Sequence, residues 1–233
     1  MDVADRWERW APVSGLLFAV SFMALFFLFF VPADLLPADS DAAQIAAYYR
    51  GRGPAGFLVM YSLIGLAGAA LLWFTGSLRT SLRRLEPAPG GLSAVAFGGG
   101  VASAILLLTG GAAILAPFAV VINSTRVIDP TLHNVLSAIG FLTINLGLFG
   151  QAVLVVATSL VALRWGGLPM WFAWVGFLVA LALVLNILYF FGLFVWVGWV
   201  LLASNMLWAR PVGRASRGAR AAVAPPQPSD VVP

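Results

Sequence analysis

Of the chain's 233 residues, 61% are hydrophobic and 9% charged, where soluble domains carry about 45–50% and about 25%, so the sequence reads as an integral membrane protein. All 13 basic residues are Arg, a usage expected of a GC-rich bacterial coding sequence, and they are scattered at segment ends. The +4 net charge therefore points to membrane orientation and not to a nucleic-acid surface. Without Cys, disulfide and thiolate chemistry are excluded; with a single His, no conventional zinc or copper site and no cofactor are expected.

The amino end, 1–12, holds three acids against two Arg, unlike the cationic start of a secretory signal. It is expected to be a cytoplasmic segment before an uncleaved first span. Apolar segments follow near 13–32, 55–78, 93–121 and 134–163, and a last apolar block runs over 169–208. At about 1.5 Å per residue that block would reach about 60 Å as one helix, twice the hydrocarbon thickness. It is therefore divided into two spans with a turn around Asn186 to Gly192. The fold class expected is an all-α polytopic membrane helical bundle of six transmembrane helices, arranged as three hairpins.

Between the first two spans, ADSDAAQIAAYYRGRGP (38–54) predicts a short amphipathic helix on the outer side, near 41–50. Asp41 and Gln44 have capping-box spacing, with Ser40 a competing cap. Helical periodicity puts Ala42, Ile45, Ala46 and Tyr49 on one face and Asp41, Gln44 and Tyr48 on another. Gly51 is expected to stop this helix, and Pro54 to precede the second span. Arg50 and Arg52 place positive charge on the outer side, with Asp34, Asp39, Asp129 or lipid phosphate as partners.

Further on, Gly98-Gly99-Gly100 with Ser103, Gly110-Gly111, Gly65 with Gly68, and Gly140 with Gly147 give small helix faces that let backbones approach closely. Trp10, Trp73, Trp165, Trp171, Trp208 and the Tyr48-Tyr49 pair fall near predicted interfaces, where amphipathic rings sit. The second outer loop, 123–134, contains the only His. Asp129 followed by Pro130 fits an N-cap with Pro at the first helical position, and Asp129 to His133 is an i, i+4 pair. Asn145 and Gln151 are the polar residues deepest in the fourth span; about 120° apart around the helix, they are expected to serve interhelical hydrogen bonding.

No Asp, Glu, Lys or Arg falls inside a predicted hydrocarbon region, which argues against a proton-coupled pump. Six spans with both ends in the cytoplasm place ten Arg inside and three (Arg50, Arg52, Arg126) outside, as the positive-inside rule requires. The tail, 209–233, is expected to be a disordered basic segment that meets anionic lipid headgroups. The domain organisation is then 1–12, a six-span domain over 13–208, and the tail. TGSLRTSLRR, ATSLVALR and ASNMLWAR each close an even-numbered span with small polar residues before Arg. This suggests three tandem hairpins in parallel topology.

DAAQIAAYYRGRG, LWFTGSLRTSLRR, GGLSAVAFGGG and ATSLVALRWGGLP leading into WFAWVGF together resemble a family of uncharacterised small multi-span bacterial membrane proteins, grouped as a domain of unknown function. The resemblance covers roughly residues 12–208 and implies the architecture without an activity. Three functions stay open. The foremost expectation is a non-catalytic accessory or scaffolding component with a membrane-protein partner. The second is a membrane-embedded enzyme or binder of a lipid or apolar small molecule, with an outer polar site of Asp41, Gln44, Tyr48, Arg50, Arg126, Asp129 and His133 that requires the two outer loops to meet. The third is a facilitator or efflux component for an apolar compound.

Overall fold

The computed structural model describes residues 13–29, 36–37, 39–87, 90–124, 128–185 and 189–208, with the side chains of 189–191 excepted. The segments 1–12 and 209–233, and with them the expected disordered tail, lie outside the described residues. The chain is all-helical over the described residues: α1 (Val13–Phe29), α2 (Ala42–Arg83), α3 (Leu92–Asn123), α4 (Pro130–Trp165), α5 (Met170–Leu185) and α6 (Tyr189–Trp208). In apolar surroundings this is the economical solution, because a helix satisfies its backbone N–H and C=O groups within one segment.

Three helices, α2, α3 and α4, are long and apolar enough to cross a membrane. The other three are apolar but shorter: α1 has 17 residues and α5 has 16, about 24–26 Å of helix. The last apolar block is divided as expected, with α5 ending at Leu185 and α6 starting at Tyr189.

One boundary differs from the sequence reading. The amphipathic helix runs on through Gly51 and meets the second span at a kink, so α2 comprises two helical parts. The break falls at Gly53, whose φ of 61° and ψ of −176° are the only non-helical values inside α2. Gly53 lacks the Cβ that penalises positive φ, and Pro54 after it opens the longer part of the helix, where a missing N–H costs least. Residue 51 needs no such conformation, so it stays helical.

Each helix packs on its neighbours in the sequence, and α6 closes on α1, giving a ring of six. Contacts between α3 and α4 pair Gly99 with Gly150 and Gly110 with Gly140. The partner numbers fall as the first numbers rise, so the two helices are antiparallel. The ring consequently gathers Arg79, Arg83, Arg84 and Arg164 at one end, and Arg50, Arg52 and His133 at the other.

The α3–α4 seam is the tightest in the bundle. A Cβ on Gly99 would lie 2.6 Å from the Gly150 carbonyl oxygen, and one on Gly110 would lie 2.6 Å from that of Gly140. Gly65 and Gly98, grouped with these in the sequence, face open space instead. A second pattern recurs around the ring. Thr75 of α2 occupies the space beside Gly100 of α3, Ser159 of α4 that beside Gly176 of α5, and Ser204 of α6 that beside Gly15 of α1. All three hydroxyl residues are buried. Thr75 and Ser159 donate to the carbonyls of Leu71 and Val155 on their own helices, at 2.6 and 2.9 Å, so their burial leaves the hydroxyl satisfied.

The core has two parts. At the Arg83 end Phe18, Phe74, Phe172, Trp196 and Trp199 fill the ring. At the His133 end a smaller cluster surrounds Tyr49, Met60 and Phe118. Between α2 and α3 the buried Glu86 carboxylate accepts from the amides of Leu92 at 2.7 Å and Ser93 at 3.0 Å, capping α3 from the preceding loop.

Two outcomes test this packing. Gly110→Ala and Gly140→Ala should each lower stability by about 1–3 kcal/mol through overpacking, while Gly65→Ala should leave it unchanged or raised; melting temperatures in mild detergent distinguish them. Burial pushes the Glu86 carboxyl up, but its bonds from Ser93 and Leu92 and the nearby Arg83 guanidinium outweigh that and hold it below its ordinary value of 4.5. The group thus stabilises the fold fully above that ordinary value, and the contribution is lost as pH falls through the lower folded one. Glu86→Gln should flatten the decline in melting temperature with acidification over this range.

Candidate functional site

The two loop regions at the His133 end meet. Tyr49, near the end of the amphipathic part of α2, stacks on Phe118 of α3 with ring centroids 4.8 Å apart. Its ring edge meets that of His133 of α4, centroids 5.8 Å apart. The Tyr49 hydroxyl and His133 Nδ1 are 3.5 Å apart, the long limit of a hydrogen bond, with donor and acceptor fixed by the imidazole tautomer. Tyr48 lies edge-on to Tyr49 at 5.2 Å, and the Arg52 guanidinium sits 3.8 Å above the Tyr48 ring centroid, a cation–π contact.

These side chains line the mouth of a pocket of about 300 Å³, together with Asn134 and Ser137 of α4. The mouth shares Met60, Ile114 and Phe141 with a deeper apolar space of about 60 Å³. That space lies between α1, α2, α3, α4 and α6, and its wall includes Phe22, Ile64 and Leu148. Polar and aromatic groups thus sit at the rim, with aliphatic and aromatic ones below.

Of the residues singled out in the sequence, Tyr48 and His133 line this pocket. Asp41 and Gln44 do not: the Gln44 amide donates to the Asp41 carboxylate at 2.8 Å, and the Asp41 amide to Gln44 Oε1 at 2.9 Å. This is the capping box expected at the start of α2. Ser40, the competing cap, donates instead to the Pro37 carbonyl at 2.7 Å. Asp129 caps α4, accepting from the Thr131 amide at 2.7 Å and the Leu132 amide at 3.4 Å. Those bonds hold its carboxyl below the usual carboxylate range. Arg50 is exposed and does not line the pocket. Arg126 and Asp34 lie outside the described residues.

Asn145 lines the deeper space, its side-chain amide donating to the Phe141 carbonyl one turn back at 2.6 Å. Gln151 is buried, and its Oε1 has no hydrogen-bond partner among the described residues. About 120° apart around α4, they share no stripe, and only Asn145 lines the deeper space.

Tyr49, Arg52, Asn134 and Ser137 were not legible as site residues. Tyr49 falls on the apolar face of its helix and reads as packing. Arg52 reads as a loop residue until the helix is seen to continue past Gly51. Asn134 and Ser137 carry no spacing signal. His133 and Asn134 bracket the first turn of α4 beside the Asp129 cap, and that adjacency was the one available pointer. No cluster of three or more His, Asp and Glu is assembled among the described residues.

The Tyr49 ring and hydroxyl can be separated experimentally. Tyr49→Ala removes the ring stacked on Phe118 and should cost about 3–5 kcal/mol, whereas Tyr49→Phe keeps it and should cost about 1 kcal/mol or less, given the length of the contact with His133. Thermal unfolding in detergent reads both. Comparison of the chain with protein-family models, curated proteins and solved structures finds no match, so none of them supports the family resemblance.

Proposed function

We propose that the protein is a six-span membrane protein, built as three hairpins, that binds a small apolar or amphiphilic molecule taken from the surrounding lipid. The observation that carries this reading is the adjacency of the polar mouth at Tyr48, Tyr49, Arg52 and His133 to an apolar space, the two sharing Met60, Ile114 and Phe141 in their linings. Ligand sites are concave and mostly apolar, with a few convergent polar groups that fix orientation. An amphiphile would place its polar end among the rim side chains and its chain below.

The arginine distribution supports placing both chain ends and the Arg83 end of the bundle in the cytoplasm, which puts the mouth at the outer leaflet. Binding without turnover is favoured because the Asp41 and Asp129 carboxylates are occupied as caps, which leaves Tyr49 and His133 without a carboxylate partner from this candidate set. The accessory reading rests on uncharged spans and Gly-rich packing faces, which any membrane helix bundle shows, and the outward apolar residues of α4 (Leu132, Val135, Ile139, Leu142, Leu146) recur at the three- and four-residue spacing of a lipid-facing helix. The pocket is the more specific feature.

Two measurements test the proposal. Organic extraction of the purified full-length protein, followed by mass spectrometry, should recover a stoichiometric apolar molecule. Ile114→Phe, at the junction of mouth and deeper space, should reduce its retention and the binding of an apolar fluorescent probe by about tenfold, the scale of one badly fitted contact. Unchanged probe binding in a variant that melts normally would remove the pocket from consideration.

A further inference from the structure

The opposite end of the bundle carries a second concave feature that this reading does not use. Gly76, Arg79, Thr80 and Arg83 of α2, Arg84 just after it and Phe97 of α3 line an open groove of about 460 Å³. Gly76, Arg79, Thr80 and Arg83 stand at i, i+3, i+4 and i+7 and so share one face of α2. A Cβ at Gly76 would meet nothing within 4 Å, leaving a notch between the two helices. The Arg79 guanidinium lies 4.9 Å from the Phe97 ring centroid, which fixes the position of its planar fork.

We infer that this groove binds the phosphodiester headgroup of an anionic phospholipid in the adjoining leaflet. Three features carry the assignment. The first is charge: Arg79, Arg83 and Arg84 bring three guanidinium groups to the groove, and Glu86, the carboxylate beside Arg83, also accepts from the amides of Leu92 and Ser93. Arg83 and Arg84 also answer the negative end of the α2 dipole, but Arg79, a full turn further in, lies beyond its reach. The second is depth. Arg79 is four residues before the end of α2, about 6 Å from it, and the exposed Trp174 stands four residues from the start of α5, the headgroup level at which such rings anchor. The third is continuity with hydrocarbon. The same face of α2 runs on through the exposed Leu72, Trp73 and Leu66, a track for acyl chains that free phosphate does not need. Basic pockets between membrane helices hold headgroups of this class, and Arg forks match phosphate oxygens in pairs.

Native mass spectrometry of the full chain in neutral detergent tests the assignment, with phosphatidylglycerol, phosphatidylcholine of the same acyl chains, and inorganic phosphate as separate probes. Phosphatidylglycerol should be retained preferentially. Arg79→Gln/Arg83→Gln should weaken it about thirtyfold, the sum expected for two interfacial charges. Arg79→Lys/Arg83→Lys keeps the charge and should retain most of the binding, which separates loss of the site from loss of the fold. Equal retention of the two lipids, or competition by millimolar inorganic phosphate, would overturn the lipid assignment. So would a loss of phosphatidylglycerol on Arg214→Gln/Arg217→Gln that the groove variants do not reproduce, since the binding would then belong to the tail.

Discussion

Once every backbone amide is satisfied within its own helix, the remaining freedom of a membrane bundle lies in how closely its helices approach, and here that distance is set at the α3–α4 seam. Gly99 against Gly150 and Gly110 against Gly140 bring carbonyl oxygens to where side chains would otherwise begin. Lipid offers no hydrophobic drive for helices to associate, so close backbone packing supplies what burial supplies in water. Pulling α3 and α4 together at two levels fixes the antiparallel register between them and, through it, the ends at which the Arg clusters and His133 emerge. It also leaves the ring unevenly filled. Phe22, Met60, Ile114 and Phe141 surround an off-centre space that α5 does not reach.

The hydroxyl-on-glycine contacts give the ring a second organising rule. Thr75 on Gly100, Ser159 on Gly176 and Ser204 on Gly15 each join an even helix to the odd helix that follows it around the ring. The polar clusters before Arg in the even spans are the sequence trace of this rule. At two of the seams the hydroxyl fits beside a glycine while remaining bonded to its own helix, as Thr75 and Ser159 do, so its burial costs less than that of an unbonded polar group; the Ser204 hydroxyl has no hydrogen-bond partner among the described residues. Recurrence at three seams ties the apparent repeat to a packing requirement, beyond the tendency of membrane exits to resemble one another.

Much of the fold was legible because apolar length is a coarse signal and lipid is an unforgiving solvent. All six helices occur where apolar runs predict them, and Asp41 with Gln44 and Asp129 with Pro130 cap the helices that their spacing announces. Glycine roles were legible only as a class. Gly98 faces open space while Gly99, one residue on, carries the seam, and no local pattern separates them, because which face meets α4 depends on the whole ring. The site was legible in half. Helical caps explain away Asp41, Gln44 and Asp129, whereas the pairing of Tyr49 with His133 joins residues 84 positions apart, a distance over which spacing carries no information.

The kink at Gly53 links fold and site. Because one non-helical residue separates the amphipathic part of α2 from its long part, the short helix is free to turn over the end of the ring without a long loop. Its direction is then set by what it buries: Ile45 is fully enclosed, Ala46 is 4% exposed, and the Tyr49 ring lies between Phe118 and His133. The same contacts that seat the helix leave Tyr48 and Arg52 on its flank, at the rim of the pocket. The seating of the short helix and the width of the mouth are therefore linked at Tyr49. A tighter fit of its ring against Phe118 would hold the helix down and narrow the mouth, while a looser one would widen the mouth and weaken that hold.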